Sequence, residues 1–164
     1  MEKIAWVVLG AVVLVAALRA DGSARARRVG EVAFAALFIG AGALVNTYYL
    51  LTGYAFEDFA DGAHFAFVRD TWGAVVVPHA TVWIGLLIAF ELTVGLLVLS
   101  GGRRAEVGLV AVIAMHLALP VFGWITTGWA LVMLVAFGLL LRAEHHAVAR
   151  KRAAAERPAH TPVT

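Results

Sequence analysis

Hydrophobic positions in this chain are gathered into four long runs, which short polar and charged stretches separate. The runs cover Ile4–Leu18, Val32–Thr52, Pro78–Leu99 and Val107–Leu141. Since a helix needs about 20 apolar residues to cross a bilayer, each of the first three runs predicts one transmembrane helix. As one helix the fourth run would be about 52 Å long, against a hydrocarbon core of about 30 Å. Because proline breaks a helix, we predict that this run folds back near Pro120–Gly123, which gives five crossings.

The composition agrees with a membrane protein and excludes other classes. Apolar residues make up 62% of the chain and charged residues 15%, whereas soluble domains have about 45–50% and about 25%. A soluble enzyme is therefore excluded. The net charge is only +2, and the basic residues lie between apolar runs, so no basic face is left to bind nucleic acid. The absence of cysteine rules out thiol redox chemistry.

The positions of arginine and lysine predict the orientation of the five helices. Eleven of the 13 basic residues lie in three places: after the first run, between the third and fourth runs, and after the fourth. Such residues stay on the cytoplasmic side of short loops. We therefore predict an all-α, polytopic membrane helix bundle with the amino terminus outside and the carboxyl terminus inside.

The outer connection, residues 53–77, is rich in acidic and aromatic residues. Phe56, Phe59 and Phe67 approximate helical spacing, which predicts a helix lying in the outer headgroup layer. The predicted orientation also brings the tryptophans to the outer half, among them Trp72, Trp83 and Trp124. Two interpretations follow: an aromatic belt that anchors the bundle at the interface, or a gate over a site for an apolar ligand.

Polar residues within the apolar runs are the candidates for a ligand site, since ionisable groups at membrane depth are usually functional. Glu91 lies in the third run and His116 in the fourth, each about 12–13 Å from the inner boundary of its run. Three interpretations are open: the two side chains form a buried structural pair, they form a functional site, or each contacts different neighbours. A pair at one depth would suit proton handling or a quinone headgroup. Asn46 is a further candidate, either as ligand or as a hydrogen bond between helices.

Several segments together resemble a known family. They are a helix rich in small and aromatic residues after Arg28 (28–43), the aromatic segment Tyr54–Ala60, the run Phe90–Leu97 with Glu91 four residues before Gly95, and Gly101-Gly102-Arg103-Arg104. Over residues 28–141 the chain resembles the DoxX-like family of small bacterial membrane proteins. That resemblance implies a four-helix bundle in the bacterial cytoplasmic (inner) membrane, to which residues 1–27 add an anchor helix and a basic loop. The bundle would cover residues 28–142, and residues 143–164 would form a basic cytoplasmic tail, helical through Ala155.

The resemblance also shapes the functional expectation, because DoxX-like members include partners of membrane oxidoreductases and a subunit of a thiosulfate–quinone oxidoreductase. We expect a non-catalytic or accessory membrane subunit that binds a lipid-like or quinone-like molecule or a partner protein. The alternatives are a quinone-interacting subunit of an oxidoreductase and a small solute or proton transporter. No catalytic residue, cofactor or metal site is predicted.

Overall fold

Five helices make up most of the protein, which is described here for residues 2–156 in a computed structural model. The helices are α1 (Glu2–Ala20), α2 (Ala24–Leu51), α3 (Ala66–Leu99), α4 (Gly102–Phe122) and α5 (Trp124–Ala155). Within that range, all regular structure is helical, and all five helices are long and apolar enough to cross a membrane. The prediction of an all-α chain with five such helices is therefore confirmed.

The reversals between helices occur where the sequence supplies turn residues. Gly101 and Gly102 join α3 to α4 with φ of 67° and 62°, in the left-handed region that favours glycine. Between α4 and α5, Pro120 lies in the single 3₁₀ turn that ends α4, and Gly123 follows with φ of 122°. The predicted fold-back near Pro120–Gly123 is thus confirmed. Ser23 begins α2, because its side-chain oxygen accepts a hydrogen bond of 3.2 Å from the amide of Ala26.

Helix α2 lies at the centre of the bundle. In its most apolar stretch 56% of residues are buried, against 28% in each of the other four helices. Phe34, Leu37 and Phe38 of α2 are fully enclosed. The buried side chains around them come from all four other helices: Val13 from α1, Val94 and Val98 from α3, Leu109 and Val112 from α4, and Met133, Phe137 and Leu140 from α5.

The first helix packs into the same core as the other four helices, and its role as a membrane anchor within residues 1–27 stays a prediction. Val13, Ala17 and Ala20 of α1 are buried in the same core as the other helices. A Cβ atom on Gly10 would lie 2.5 Å from the indole of Trp129 in α5, which shows how closely the two helices approach. A boundary at residue 27 would also cut through α2, which begins at Ala24 rather than at Val32.

The bundle has two distinct ends. At the arginine-rich end lie the α1–α2 turn, the α3–α4 turn and the last turns of α5, since Asp21 contacts Arg142 and Gly102 contacts Glu144. The aromatic end carries residues 52–65 and the α4–α5 turn. All three basic patches of the sequence therefore meet at one end, as the predicted topology requires. Helix α5 reaches Ala155 as expected, and residues 157–164 of the predicted tail lie outside the described residues.

Candidate functional site

Glu91 is buried between α3 and α2, deep in the bundle. Only 4% of its surface is exposed, and its Oε2 accepts a hydrogen bond of 3.0 Å from the side-chain amide of Asn46. Its other oxygen, Oε1, lies against Gly42, where a Cβ atom would be 2.6 Å away. Glycine at position 42 therefore provides the space that the carboxyl group occupies. The sequence prediction named both Glu91 and Asn46, and the structure brings them together.

The spacing of Glu91 and Gly95 has a structural reason. One turn after Glu91, Gly95 faces Ile39 of α2, and a Cβ atom there would lie 2.5 Å from the Ile39 side chain. The two positions thus let α3 approach α2 closely along one face. The matching face of α2 lies in its π-helical section, Ala36–Leu44.

This π-helical section is where α2 departs from regular geometry. A π-helix bonds each amide to the carbonyl five residues back and is often found at functional sites. The carbonyl of Ala41 in this section accepts a hydrogen bond of 3.1 Å from the indole nitrogen of Trp6 in α1. Helix α1 therefore supports the same section whose other side holds Glu91.

His116 lies in a separate aromatic environment. Its side chain is 1% exposed, and Nδ1 donates a hydrogen bond of 3.0 Å to the carbonyl of Val112 in its own helix. The ring packs edge-to-face against Phe38 and Phe137, with centroid distances of 6.1 and 5.0 Å. His116 thus joins α2, α4 and α5 through ring contacts.

Of the interpretations considered for Glu91 and His116, the structure agrees with the one in which each contacts different neighbours. The depth of His116 was counted from Val107, whereas α4 begins at Gly102. Glu91 contacts Gly42 and Asn46 of α2, and His116 contacts Phe38, so the two side chains meet different residues of the same helix.

Residues 53–77 do not form the single interfacial helix that their aromatic spacing predicted. A 3₁₀ turn covers Glu57–Ala60, and α3 starts at Ala66, well before the predicted Pro78. The segment instead packs over the α4–α5 turn. The amide of His64 donates to the carbonyl of Val121 at 3.1 Å, and Gly62 lies directly against Gly123.

The three gate candidates have different contacts, and their role in a belt or a gate stays a prediction. Trp72 packs beside the α4–α5 turn. Its indole nitrogen donates a hydrogen bond of 2.8 Å to the carbonyl of Phe56, and its ring packs against Phe59 and Phe122. Trp124 is 81% exposed and contacts His64 at a centroid distance of 4.7 Å. Trp83 is 45% exposed on the outer face of α3.

The sequence analysis missed a buried charge cluster at the arginine-rich end. Its members are Arg27, Arg28, Glu31 and Glu144, and we call it the arginine–glutamate cluster. Nε of Arg27 lies 2.6 Å from Oε1 of Glu144 and 3.9 Å from Oε1 of Glu31. Arg28 reaches Oε2 of Glu31 at 2.8 Å and the carbonyl of Leu99 at 2.7 Å. The side chains of Glu31 and Glu144 are only 6% and 3% exposed.

Glu144 also begins helix α4. Its Oε2 accepts a hydrogen bond of 2.9 Å from the amide of Gly102, one of the amides that a helix start leaves unpaired. A carboxylate at this position also interacts favourably with the helix dipole. A single side chain from α5 thereby holds the starts of both α2 and α4.

A signal for this cluster was present in the sequence. Arg27 and Glu31 are four residues apart, which places them on one face of a helix. The charge of Arg27 was interpreted only as evidence of membrane orientation, which places it in a loop, and Glu31 was given no role. No local pattern connects either residue with Glu144, which lies more than 100 positions later.

A second charged contact ties the α1–α2 turn to α5, outside the membrane-spanning segments. Asp21 Oδ1 lies 2.8 Å from Nδ1 of His146, and Oδ2 lies 3.2 Å from Arg142. The hydrogen bond with His146, helped by the charge of Arg142, lowers the pKa of Asp21 below its usual value of 3.8. On the other side of α5, His145 lies 3.2 Å from Glu106 of α4. The two adjacent histidines therefore contact different parts of the bundle: His146 contacts the α1–α2 turn and His145 contacts α4.

Comparison of the chain with family models, with curated proteins and with solved structures gave no match.

Proposed function

We propose that this protein is a non-catalytic accessory subunit of a membrane complex, of the DoxX-like kind, in the bacterial inner membrane. Its amino terminus would lie outside and its carboxyl terminus inside. In this role the bundle presents a stable membrane surface to a partner protein and to a lipid-like or quinone-like molecule. The proposal rests on one observation: the polar side chains deep in the bundle are hydrogen-bonded within the bundle itself.

That observation is the hydrogen bond between Asn46 and Glu91. Polar groups in a membrane interior are costly unless they are paired, and this pair joins α2 and α3 beside Gly42, which makes room for the carboxyl group. His116 is likewise bonded within its own helix and enclosed by rings. In the described part of the chain every buried side-chain nitrogen and oxygen has a hydrogen-bond partner. This arrangement supports a role in helix packing more than a role in turnover.

The direct test is purification of the full chain from its native membrane in a mild detergent. We expect a second protein to co-purify in a fixed ratio. The Glu91→Gln variant, which retains an acceptor for Asn46, is expected to keep that partner and its ratio. The proposal is refuted if the chain purifies alone after crosslinking in the membrane, or if the isolated chain itself reduces a quinone.

A quinone-interacting subunit is a second candidate, favoured by the chemistry of the same pair. A quinone carbonyl accepts hydrogen bonds, and a protonated carboxyl group and an amide at membrane depth can both donate one. If this candidate is correct, decylubiquinone binds the purified chain, and Glu91→Leu, which removes the donor, weakens binding by about tenfold, the effect of one hydrogen bond. Gly40→Ala serves as the control, since nothing lies within 4 Å of a Cβ at that position. Equal binding by both variants removes the candidate.

A further inference from the structure

A cleft of about 530 Å³ opens at the arginine-rich end of the bundle. Three elements form it: the first turns of α2, the α3–α4 turn, and the final turns of α5. Its charged lining residues are Arg27, Glu31, Arg103, Glu144, Lys151 and Arg152. Because the three elements are distant in sequence, only the folded bundle creates this cleft.

The charges in the cleft are divided between its floor and its rim. At the floor, the two carboxylates of the arginine–glutamate cluster are balanced by Arg27 and Arg28. At the rim, Arg103, Lys151 and Arg152 are exposed, and none of them forms an ion pair with another residue in the range 2–156. The charged groups at the floor are thus paired with one another, whereas the three positive charges at the rim are not.

The geometry of α5 explains why the two levels are separate. Glu144, Val148, Lys151 and Ala155 are spaced by four, three and four residues, so they lie on one face of the helix. Lys151 is seven residues from Glu144, which places it about 10 Å further along the axis. The intervening wall is apolar, formed by Ala147 and Val148. A ligand with an anionic group at the rim would therefore contact apolar surface below it.

We propose that this cleft binds a phosphate group, held by Arg103, Lys151 and Arg152. Guanidinium groups pair with phosphate oxygens through two parallel hydrogen bonds, and an ammonium adds a point charge. The phosphate belongs either to a phospholipid headgroup or to a soluble phosphate compound. The lipid source fits the position of the cleft, since Glu144 lies three residues beyond the apolar run that ends at Leu141, close to the level of the headgroups.

The test uses the purified full chain in neutral dodecyl maltoside micelles, where no charged bilayer attracts it unspecifically. Binding is measured by native mass spectrometry and calorimetry with three probes: inorganic phosphate, dioleoyl phosphatidylglycerol, and zwitterionic dioleoyl phosphatidylcholine. The cleft variant is Arg103→Gln/Arg152→Gln. The control is Arg104→Gln/Arg150→Gln, which removes the same charge from neighbouring positions outside this cleft. All substituted side chains are exposed, and equal unfolding temperatures check that both variants fold.

We expect saturable binding of one phosphatidylglycerol per chain, weakened about 30-fold in the cleft variant, since each of the two removed cations contributes about fivefold to binding of an anionic lipid. The control is expected to bind within about twofold of the parent. Binding of inorganic phosphate with the same dependence on the variants would instead identify a soluble source. Lys151→Gln provides an independent measurement and is expected to weaken binding of the same probe. The proposal is overturned if neither phosphate-bearing anion binds saturably, or if the cleft and control variants lose equal affinity.

Discussion

Replacing Glu144 with glutamine tests whether the arginine–glutamate cluster stabilises the bundle. The glutamine side chain would keep an oxygen for the amide of Gly102 but would remove the negative charge beside Arg27. Since Glu144 is 3% exposed, water cannot replace the lost interaction. Removing one partner of a fully buried ion pair costs about 3–5 kcal/mol, because it leaves the other charge uncompensated.

The expected cost here is at the lower end of this range, because Arg27 has a second partner. With an effective dielectric constant of about 20, the attraction of Arg27 to Glu144 at 2.6 Å is about 6 kcal/mol, and its attraction to Glu31 at 3.9 Å is about 4 kcal/mol. After the substitution Arg27 keeps the weaker of these two. Because the attraction to Glu31 is present before and after the substitution, it does not offset the loss, but it keeps Arg27 from being left without a partner. The free energy of unfolding should therefore fall by about 3 kcal/mol, the lower end of the range for removing one partner of a buried pair.

The measurement is reversible unfolding in mixed micelles of decyl maltoside and sodium dodecyl sulfate, followed by helical circular dichroism. Glu156→Gln is the matched control, since it makes the same change at the exposed end of α5. A double-mutant cycle with Arg27→Gln isolates the coupling between the two residues. If Glu144→Gln is as stable as Glu156→Gln, the ion pair contributes nothing, and the argument from burial and distance is refuted.

Three further predictions concern packing, orientation and pH. Gly42→Ala should lower the free energy of unfolding by about 1–3 kcal/mol, because the added methyl group overpacks against the carboxyl group of Glu91 in α3. The control Gly40→Ala meets no atom within 4 Å and should stay within about 0.5 kcal/mol of the parent. Equal losses in the two variants would contradict the close approach at Gly42. Since the chain has no native cysteine, Asp61→Cys should react with an impermeant maleimide on intact cells and Ala155→Cys should not; the reverse pattern would invert the orientation. The pKa of Asp21 lies below 3.8, so its contact with α5 stabilises the fold above that value and is lost as the pH falls through the lowered pKa. The difference in stability between the parent and Asp21→Asn should therefore shrink from about pH 5 to about pH 2. A difference that stays constant over this range would exclude the linkage.

The number of helices and the main reversal could be predicted because both depend on local signals. Hydrophobic length determines how many segments can cross a bilayer, and Pro120 marks the point where the longest run must break. The beginning of α2 could not be found in the same way. Hydropathy places Arg25–Arg28 in a loop, whereas the structure includes them in the helix, where two of the arginines are paired with carboxylates.

The candidate site was predicted in its members but not in its pairings. Burial of Glu91 follows from its apolar surroundings in the sequence, and Asn46 was considered either as a ligand-binding residue or as a hydrogen bond between helices. The depth of His116 was misjudged because the charged residues after Gly102 were treated as a loop. Helix α4 includes them, and each residue added to the start of a helix moves later residues about 1.5 Å further from the turn. Pairing across helices therefore depended on a boundary that hydropathy does not mark.

The basic residues at the arginine-rich end fall into two groups, paired and unpaired, which the net charge of the sequence does not distinguish. A count of arginines and lysines treats Arg27 and Arg103 alike, since both lie in gaps between apolar runs. In the structure Arg27 is neutralised by Glu144 inside the bundle, so its field outside is largely cancelled, while Arg103 faces the cleft with its charge unpaired. The same arginine-rich end thus contains charges that hold helices together and charges that remain free to attract an anion. Arg103, Lys151 and Arg152 share one cleft, so their attraction for an anion adds up at that place, while Arg104 and Arg150 are exposed outside it.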